Sequence, residues 1–268
     1  MEKEMQLNTN KMLAEKEGPI GWITFNNPSK RNAVSLEMWQ ALGVILTNFQ
    51  QDGKVRVVIM KGAGDKSFVS GADISEFETK RNSAAASEAY AKQSANAHTM
   101  LYKLDKPLIA MIQGYCIGGG LAVALNADVR FATPDSTFGI PAAKLGLGYG
   151  FGGVKALADL VGPSWAKDIL FSARFLNAEE ALRIGLINRI VSREDLEATV
   201  RDYANQIGGN APLTIKAVKA TVRELLRDPG KRDLEKINKL TQQCFNSKDY
   251  AEGRRAFMEK RKPVFTGE

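Results

Sequence analysis

The chain is poor in the residues that carry metal and thiol chemistry. Of its 268 residues one is histidine, His98, and two are cysteines, Cys116 and Cys244. A single histidine excludes any mechanism that needs two. Two distant cysteines give neither a disulfide framework nor a metal spacing, so a reducing cytoplasm is the expected location. HExxH, CxxC and Walker signatures are absent. No apolar run approaches the ~20 residues that a membrane-crossing helix needs. The opening MEKEMQLNTNK has no apolar stretch and carries acids early, so neither a secretory signal nor a transit peptide is expected. No membrane partner is expected either.

The charge is not balanced. The formal net charge is +7 and the pI ≈ 9.3. A basic chain suits a polyanionic ligand, whether nucleic acid, an anionic surface or a phosphorylated cofactor, and equally serves solubility. Against nucleic acid, the basic residues are not interleaved with aromatics, and no RNP-like sequence or basic tail is present. The chain is long enough for one large core, or for one domain with a smaller appendage.

The stretch around which the chain is organised is QGYCIGGGL, from Gln113 to Leu121. It follows an apolar run, Pro107 to Ile112, that reads as a buried strand, and precedes Ala122 to Leu125, which read as a buried helix. Three glycines at a strand-to-helix junction let a backbone approach a ligand closely and aim peptide N–H groups from a helix N-terminus. Such a site suits a phosphate, or a carbonyl oxygen that becomes an enolate. The same glycines also suit a tight turn with close packing and no ligand.

Around this stretch, residues 12–17 and 20–26 read as a hairpin, Ser35 as the cap of a helix, and Val55–Met60 as a strand. Residues 83–104 read as a long helix, and Asp128–Ala132 and Ile187–Val191 as strands. Residues 138–153 hold six glycines, which predicts an irregular loop. Beyond about residue 195 the patterns are nearly all helical. The expected organisation is an α/β core over 1–195 with a helical C-terminal region over 196–268.

In their order and spacing, NNPSKRNAVS (26–35), SGADI (70–74), KPLIAMIQGYCIGGGLAVAL (106–125), DVRFATPDSTFGIPAAKLGLG (128–148), SARFLNAEEALRIGLINRIV (172–191) and FMEKRKPVF (257–265) resemble the enoyl-CoA hydratase/isomerase, or crotonase, superfamily. The resemblance implies an α/β crotonase-like spiral of ββα units with a helical C-terminal region that forms trimers, often paired into hexamers. It implies an acyl-CoA thioester as ligand, with coenzyme A entering as part of the substrate and no permanently bound cofactor. By the family's motif, the N–H groups of Ala72 and Gly119 polarise the thioester carbonyl. Lys30, Arg31, Ala33, Ser70, Asp73 and Ile74 would lie by the coenzyme, and Phe257 and Lys260 would complete its site, often from another subunit.

Hydratases of this family use two glutamates as general acid and base. At the matching positions this chain has Ala122 and Ala142, and methyl groups transfer no protons. The resemblance therefore favours decarboxylase- or isomerase-type chemistry on an enolate over ordinary hydration. Some decarboxylases of the superfamily carry a tyrosine where Tyr149 stands, which makes Tyr149 a candidate hydrogen-bond donor or a packing residue. A non-catalytic acyl-CoA-binding protein and an RNA-binding relative are the alternatives. His98 is a candidate base or a core histidine. Glu76 and Glu78 are candidate acids or solvated residues. Cys116 has no visible base partner, and Asp128 reads as structural.

Overall fold

The computed structural model describes residues 5–73, 75 and 84–268. Ile74, Glu76 and Glu78, singled out above, lie outside the described residues. There are two sheets, and from Val57 to Gly139 the chain visits them alternately. The larger has the order β1 (Met12–Glu17), β2 (Ile20–Phe25), β3 (Val57–Gly62), β5 (Leu108–Ile112), β7 (Val129–Ala132), β10 (Arg189–Ile190). Only β1 and β2 pair antiparallel; the other neighbours are parallel. The smaller has the order β4 (Ser67–Val69), β6 (Tyr115–Ile117), β8 (Thr137–Gly139), β9 (Leu176–Asn177). After the first unit, whose strands β1 and β2 both join the larger sheet, the following units lay one strand in each sheet and then a helix, which is the expected spiral of ββα units.

The larger sheet is buried on both faces, as a parallel sheet requires, and period-2 alternation sorts its side chains. Val58, Met60, Leu108, Ala110 and Ile112 enter the main core with the apolar stripe of α1 (Leu36–Gln51): Met38, Leu42, Ile45, Leu46 and Phe49. Val57, Ile59, Ile109 and Met111 face the other way, beneath Leu196, Val200 and Ala204 of the helix Leu196–Gly208. That helix falls in the C-terminal region by sequence, yet it covers the sheet. Ser35 caps α1, its side chain accepting from the Met38 N–H at 3.4 Å.

Two local expectations are corrected. Between β5 and the three glycines the chain inserts β6, too short to show a period. The Gly-rich stretch is not irregular throughout: β8 ends at Gly139, a 3₁₀ turn spans Pro141–Leu145, and a helix starts at Phe151. Gly152 and Gly153 fall in that helix's first turn, and the Tyr149 ring fills the place a side chain at Gly153 would take. The helix runs to Ser172 with a kink where Gly162 takes φ 80° before Pro163. Among the described residues no helix is long and apolar enough to cross a membrane.

Leu196 is fully buried against the sheet, so Leu196→Ala is expected to cost about 2–4 kcal/mol in urea unfolding. A loss near zero would show that this helix does not cover the sheet.

Candidate active site

The helix Gly119–Ala124 (α3, following α2, Ala84–Lys103) begins directly after β6. Its N-cap, Gly118, has φ 55° and ψ −117°, a conformation costly for a residue with a Cβ. The Gly118 N–H donates to the Gly139 carbonyl at 2.8 Å, tying the junction to β8. A Cβ at Gly120 would collide with the Val69 carbonyl at the end of β4. The loop after β4 therefore lies directly against the start of α3.

In that loop Ala72 makes an isolated parallel bridge with Val34. The Val34 N–H donates to the Gly71 carbonyl at 2.8 Å, and the Asp73 N–H donates to the Val34 carbonyl at 3.0 Å. In such a bridge the intervening residue turns its own N–H to the opposite side. The Ala72 N–H thus faces the α3 start, and its nitrogen lies 3.6 Å from where a Cβ on Gly119 would be. Neither the Ala72 nor the Gly119 N–H has an acceptor among the described residues. Gly119 heads a helix whose first N–H groups have no internal partner. Two unpaired N–H groups beside a space that any side chain on Gly119 would enter make a cradle for an oxygen atom bearing developing charge.

The loop before α1 is built to hold this cradle. Arg31 and Asn32 both take positive φ, 51° and 56°. Asn32 tolerates that conformation and is fully buried. Its amide donates to the Ala63 and Ser67 carbonyls at 2.9 and 2.8 Å, and its Oδ1 accepts from the Asn27 N–H at 3.0 Å. The Ser70 N–H donates to the Arg31 carbonyl at 3.1 Å and the Ala33 N–H to the Lys30 carbonyl at 3.0 Å. Lys30 Nζ donates to Asp73 Oδ2 at 2.9 Å and to Ser75 Oγ at 2.6 Å. Burial raises the Asp73 pKa, but hydrogen bonds from Lys30 and Ser75 outweigh it and hold the carboxyl below its ordinary range. Lys30, Arg31, Ala33, Ser70 and Asp73 are thus brought together. Arg31 lies exposed over the Tyr115 ring at 5.0 Å, with no carboxylate partner among the described residues.

Below the cradle a second network crosses from one loop to the other. Tyr90 OH donates to the Val34 carbonyl at 3.1 Å and accepts from Trp39 Nε1 at 3.3 Å. The Trp39 ring packs on His98, with centroids 5.2 Å apart. Asn126 Nδ2 lies 3.0 Å from His98 Nδ1 and donates to the Ala122 carbonyl at 2.8 Å. Both Asn126 amide protons are engaged, so Nδ1 of His98 accepts and the ring proton sits on Nε2. A base acting through Nε2 needs a lone pair there, and this tautomer has none. Burial pushes the His98 pKa down to about 4, keeping the ring neutral.

Ala122 and Ala142 are partly buried, and both lack a group that moves a proton. Tyr149 packs partly buried against the main core, and burial raises its pKa. Phe257 and Lys260 sit exposed at the end of the last helix, Lys248–Met258; among the described residues no hydrogen bond or ion pair joins them to the Lys30 cluster. Phe257 lines an apolar groove of ≈ 1070 Å³ together with Val218, Val222, Phe245 and Met258 among others; Ala72 and Gly119 are not among its lining residues. Cys116 is buried and its thiol pKa is raised by that burial, so it stays a thiol. Asp128 is structural: Oδ2 accepts from the Leu108 N–H at 2.7 Å and from Lys219 at 2.6 Å. Among the described residues no group of three acids, histidines or cysteines could hold a metal ion. Asn126 and Trp39 escaped the sequence reading, because the bonds of Asn126 to His98 and of Trp39 to Tyr90 join residues far apart along the chain.

Two outcomes test this geometry. Gly119→Ala meets only ordinary contacts and is expected to unfold within about 1 kcal/mol of the parent, whereas Gly120→Ala forces β4 and α3 apart and is expected to cost about 3 kcal/mol or more. Equal losses in thermal unfolding would contradict the described contact. Unfolded His98 binds its proton near pH 6.5 and the folded ring only near 4. Acidification through that window therefore favours the unfolded chain, by up to about 3 kcal/mol at full protonation. The stability of His98→Gln is expected to fall less than that of the parent between those two pH values; parallel curves would show that the ring is not held neutral.

Comparison with known proteins agrees with the fold. Residues 15–268 match the enoyl-CoA hydratase/isomerase family model. A short-chain-enoyl-CoA hydratase of Clostridium acetobutylicum is 35% identical over 256 residues, covering 96% of this chain and 97% of that protein. A carnitinyl-CoA dehydratase of Salmonella typhi is 36% identical over 260 residues, covering 94% of this chain and 97% of that protein. Among solved structures, an enoyl-CoA hydratase/carnithine racemase from Magnetospirillum magneticum superposes with a TM-score of 0.92 at 35% identity, covering 97% of each chain. With the family model spanning nearly the whole length and the same fold in its relatives, this chain belongs to the enoyl-CoA hydratase/isomerase family.

Proposed function

We propose that this protein is an enzyme acting on a coenzyme A thioester, holding the thioester oxygen on the N–H groups of Ala72 and Gly119. The observation that carries the reading is the pair of unpaired, converging N–H groups with alanine at both 122 and 142. The pair can stabilise an enolate with no titratable side chain. Arg31, exposed on Tyr115, is the cation placed for the coenzyme's phosphates. The apolar groove beside Phe257 and Lys260 is where a second copy would pack in a trimer or hexamer, bringing those two residues to a neighbour's site.

Decarboxylation of a malonyl-type thioester suits these residues best. The bond between the α-carbon and the carboxylate breaks, and carbon dioxide leaves. The electron pair passes into the enolate, whose oxygen the two N–H groups hold. The α-carbon then takes a proton from water. Tyr149, at the edge of the Gly-rich loop, would orient the acyl group or that water. Double-bond isomerisation also passes through an enolate but needs a base, and neither alanine supplies one. Similarity to named hydratases favours a second reading, addition of water across an enoyl thioester.

Incubation with crotonyl-, 3-hydroxybutyryl-, methylmalonyl-, ethylmalonyl- and aromatic acyl-CoA, read by mass spectrometry, decides between them. Loss of carbon dioxide from a malonyl-type thioester is the expected result, with turnover reduced about tenfold or more in Tyr149→Phe if its hydroxyl orients the reacting group. Addition of water to crotonyl-CoA at an enzyme-like rate would overturn the decarboxylase reading. Tight binding without turnover would mark a non-catalytic acyl-CoA-binding protein.

A further inference from the structure

We propose that His98 is a specificity-determining residue that donates its Nε2–H to an oxygen atom on the far part of the acyl group. The inference rests on the acyl-CoA reading and names the acyl class it would select: chains bearing an oxygen acceptor, whether carboxylate or hydroxyl, beyond the reacting carbons.

The placement comes from the network that joins the two halves of the cradle. One end is the Val34 carbonyl, on the residue bridged to Ala72; the other is the Ala122 carbonyl, three residues past Gly119. Tyr90, Trp39, His98 and Asn126 span the space between. Asn126 follows Ala122 by four residues, so the two share one side of the same segment. Position 122, partly buried, carries only a methyl group on that side. Gly119 opens the helix Gly119–Ala124 and Asn126 lies in the turn two residues past its end, a separation of roughly 10 Å along the segment, about the reach of a six-carbon acyl chain beyond its thioester oxygen.

The chemistry comes from the tautomer. Asn126 spends one amide proton on Ala122 and the other on His98 Nδ1, which leaves Nε2–H as the ring's only free polar group. No partner for Nε2 exists among the described residues. The fully buried side-chain polar atom without a partner there is Asn48 Oδ1, so Nε2 is not sealed in the core. Trp39 holds the ring plane from the side. On a partly buried residue, a neutral, oriented donor that has no protein partner and is not sealed in favours a ligand with an acceptor, because a purely hydrocarbon chain would cover Nε2–H and leave it unpaired.

The test compares dissociation constants for hexanoyl-CoA, 6-hydroxyhexanoyl-CoA and adipoyl-CoA by calorimetry on the intact protein. The hydroxyl or carboxylate ligand is expected to bind about tenfold or more tighter than hexanoyl-CoA, and which of the two gains identifies the acceptor. In His98→Phe that preference is expected to vanish while hexanoyl-CoA affinity is kept. Equal affinities in the parent, or a preference that survives in His98→Phe, would overturn the inference and leave the acyl-CoA reading intact. Failure of all three thioesters to bind would overturn both. A measurement that needs no variant is the nitrogen NMR spectrum of the imidazole, which is self-assigning because the chain has one histidine. A proton on Nε2 and a bare Nδ1 at neutral pH is the expected signature; the reverse tautomer would overturn the inference.

Discussion

Everything in this molecule that bears on chemistry depends on one close contact, Gly120 against the Val69 carbonyl. It sets the end of β4 beside the start of α3 and so fixes the distance between two peptide N–H groups that belong to loops 47 residues apart. The donors are backbone atoms, so no rotamer has to be frozen to aim them. The cost is carried by the surroundings: buried Asn32 satisfies three backbone partners to hold the loop before α1, and the Lys30–Asp73 pair holds the loop after β4. Between them the parallel sheet, apolar on both faces, gives a rigid base from which these loops project.

The division of labour explains how one fold serves different reactions. The cradle is made by main chain and survives substitutions at side chains around it. In the proposed reading the side chains at 122, 142, 149 and 98 then decide what happens around the held oxygen. Here two of those positions carry methyl groups, one a partly buried phenol and one an imidazole whose ring proton sits on Nε2. Such a set can hold and orient, and it has little capacity to move protons.

Much of this was legible in the sequence. The apolar stripe of α1 and the run over 107–112 announced themselves by period, and the glycines of 118–120 announced a close approach. The residues of the loop at 26–35 and of SGADI carried the family resemblance, and with it Ala72, whose role no local pattern shows. The strand Tyr115–Ile117 was not legible because three residues cannot display a period. The helix starting at Phe151 was hidden by two glycines, one of which makes room for Tyr149. The bonds of Lys30 to Asp73, and of Asn126 to His98 and Ala122, join residues 43, 28 and 4 positions apart. Only the two longer ones depend on how the loops stack, and the one between Asn126 and His98 is what makes Nδ1 an acceptor and puts the ring proton on Nε2.

The central claim is that Ala72 and Gly119 N–H groups hold the thioester oxygen. The most direct measurement is the infrared carbonyl band of a carbon-13-labelled, slowly reacting acyl-CoA bound to the protein. Two aligned donors in a dry site polarise the C=O bond, so the band is predicted to move below its position in water, and to move back in Gly119→Ala, whose methyl enters the cradle. A bound thioester whose carbonyl band stays at its aqueous position in the parent protein would contradict the account.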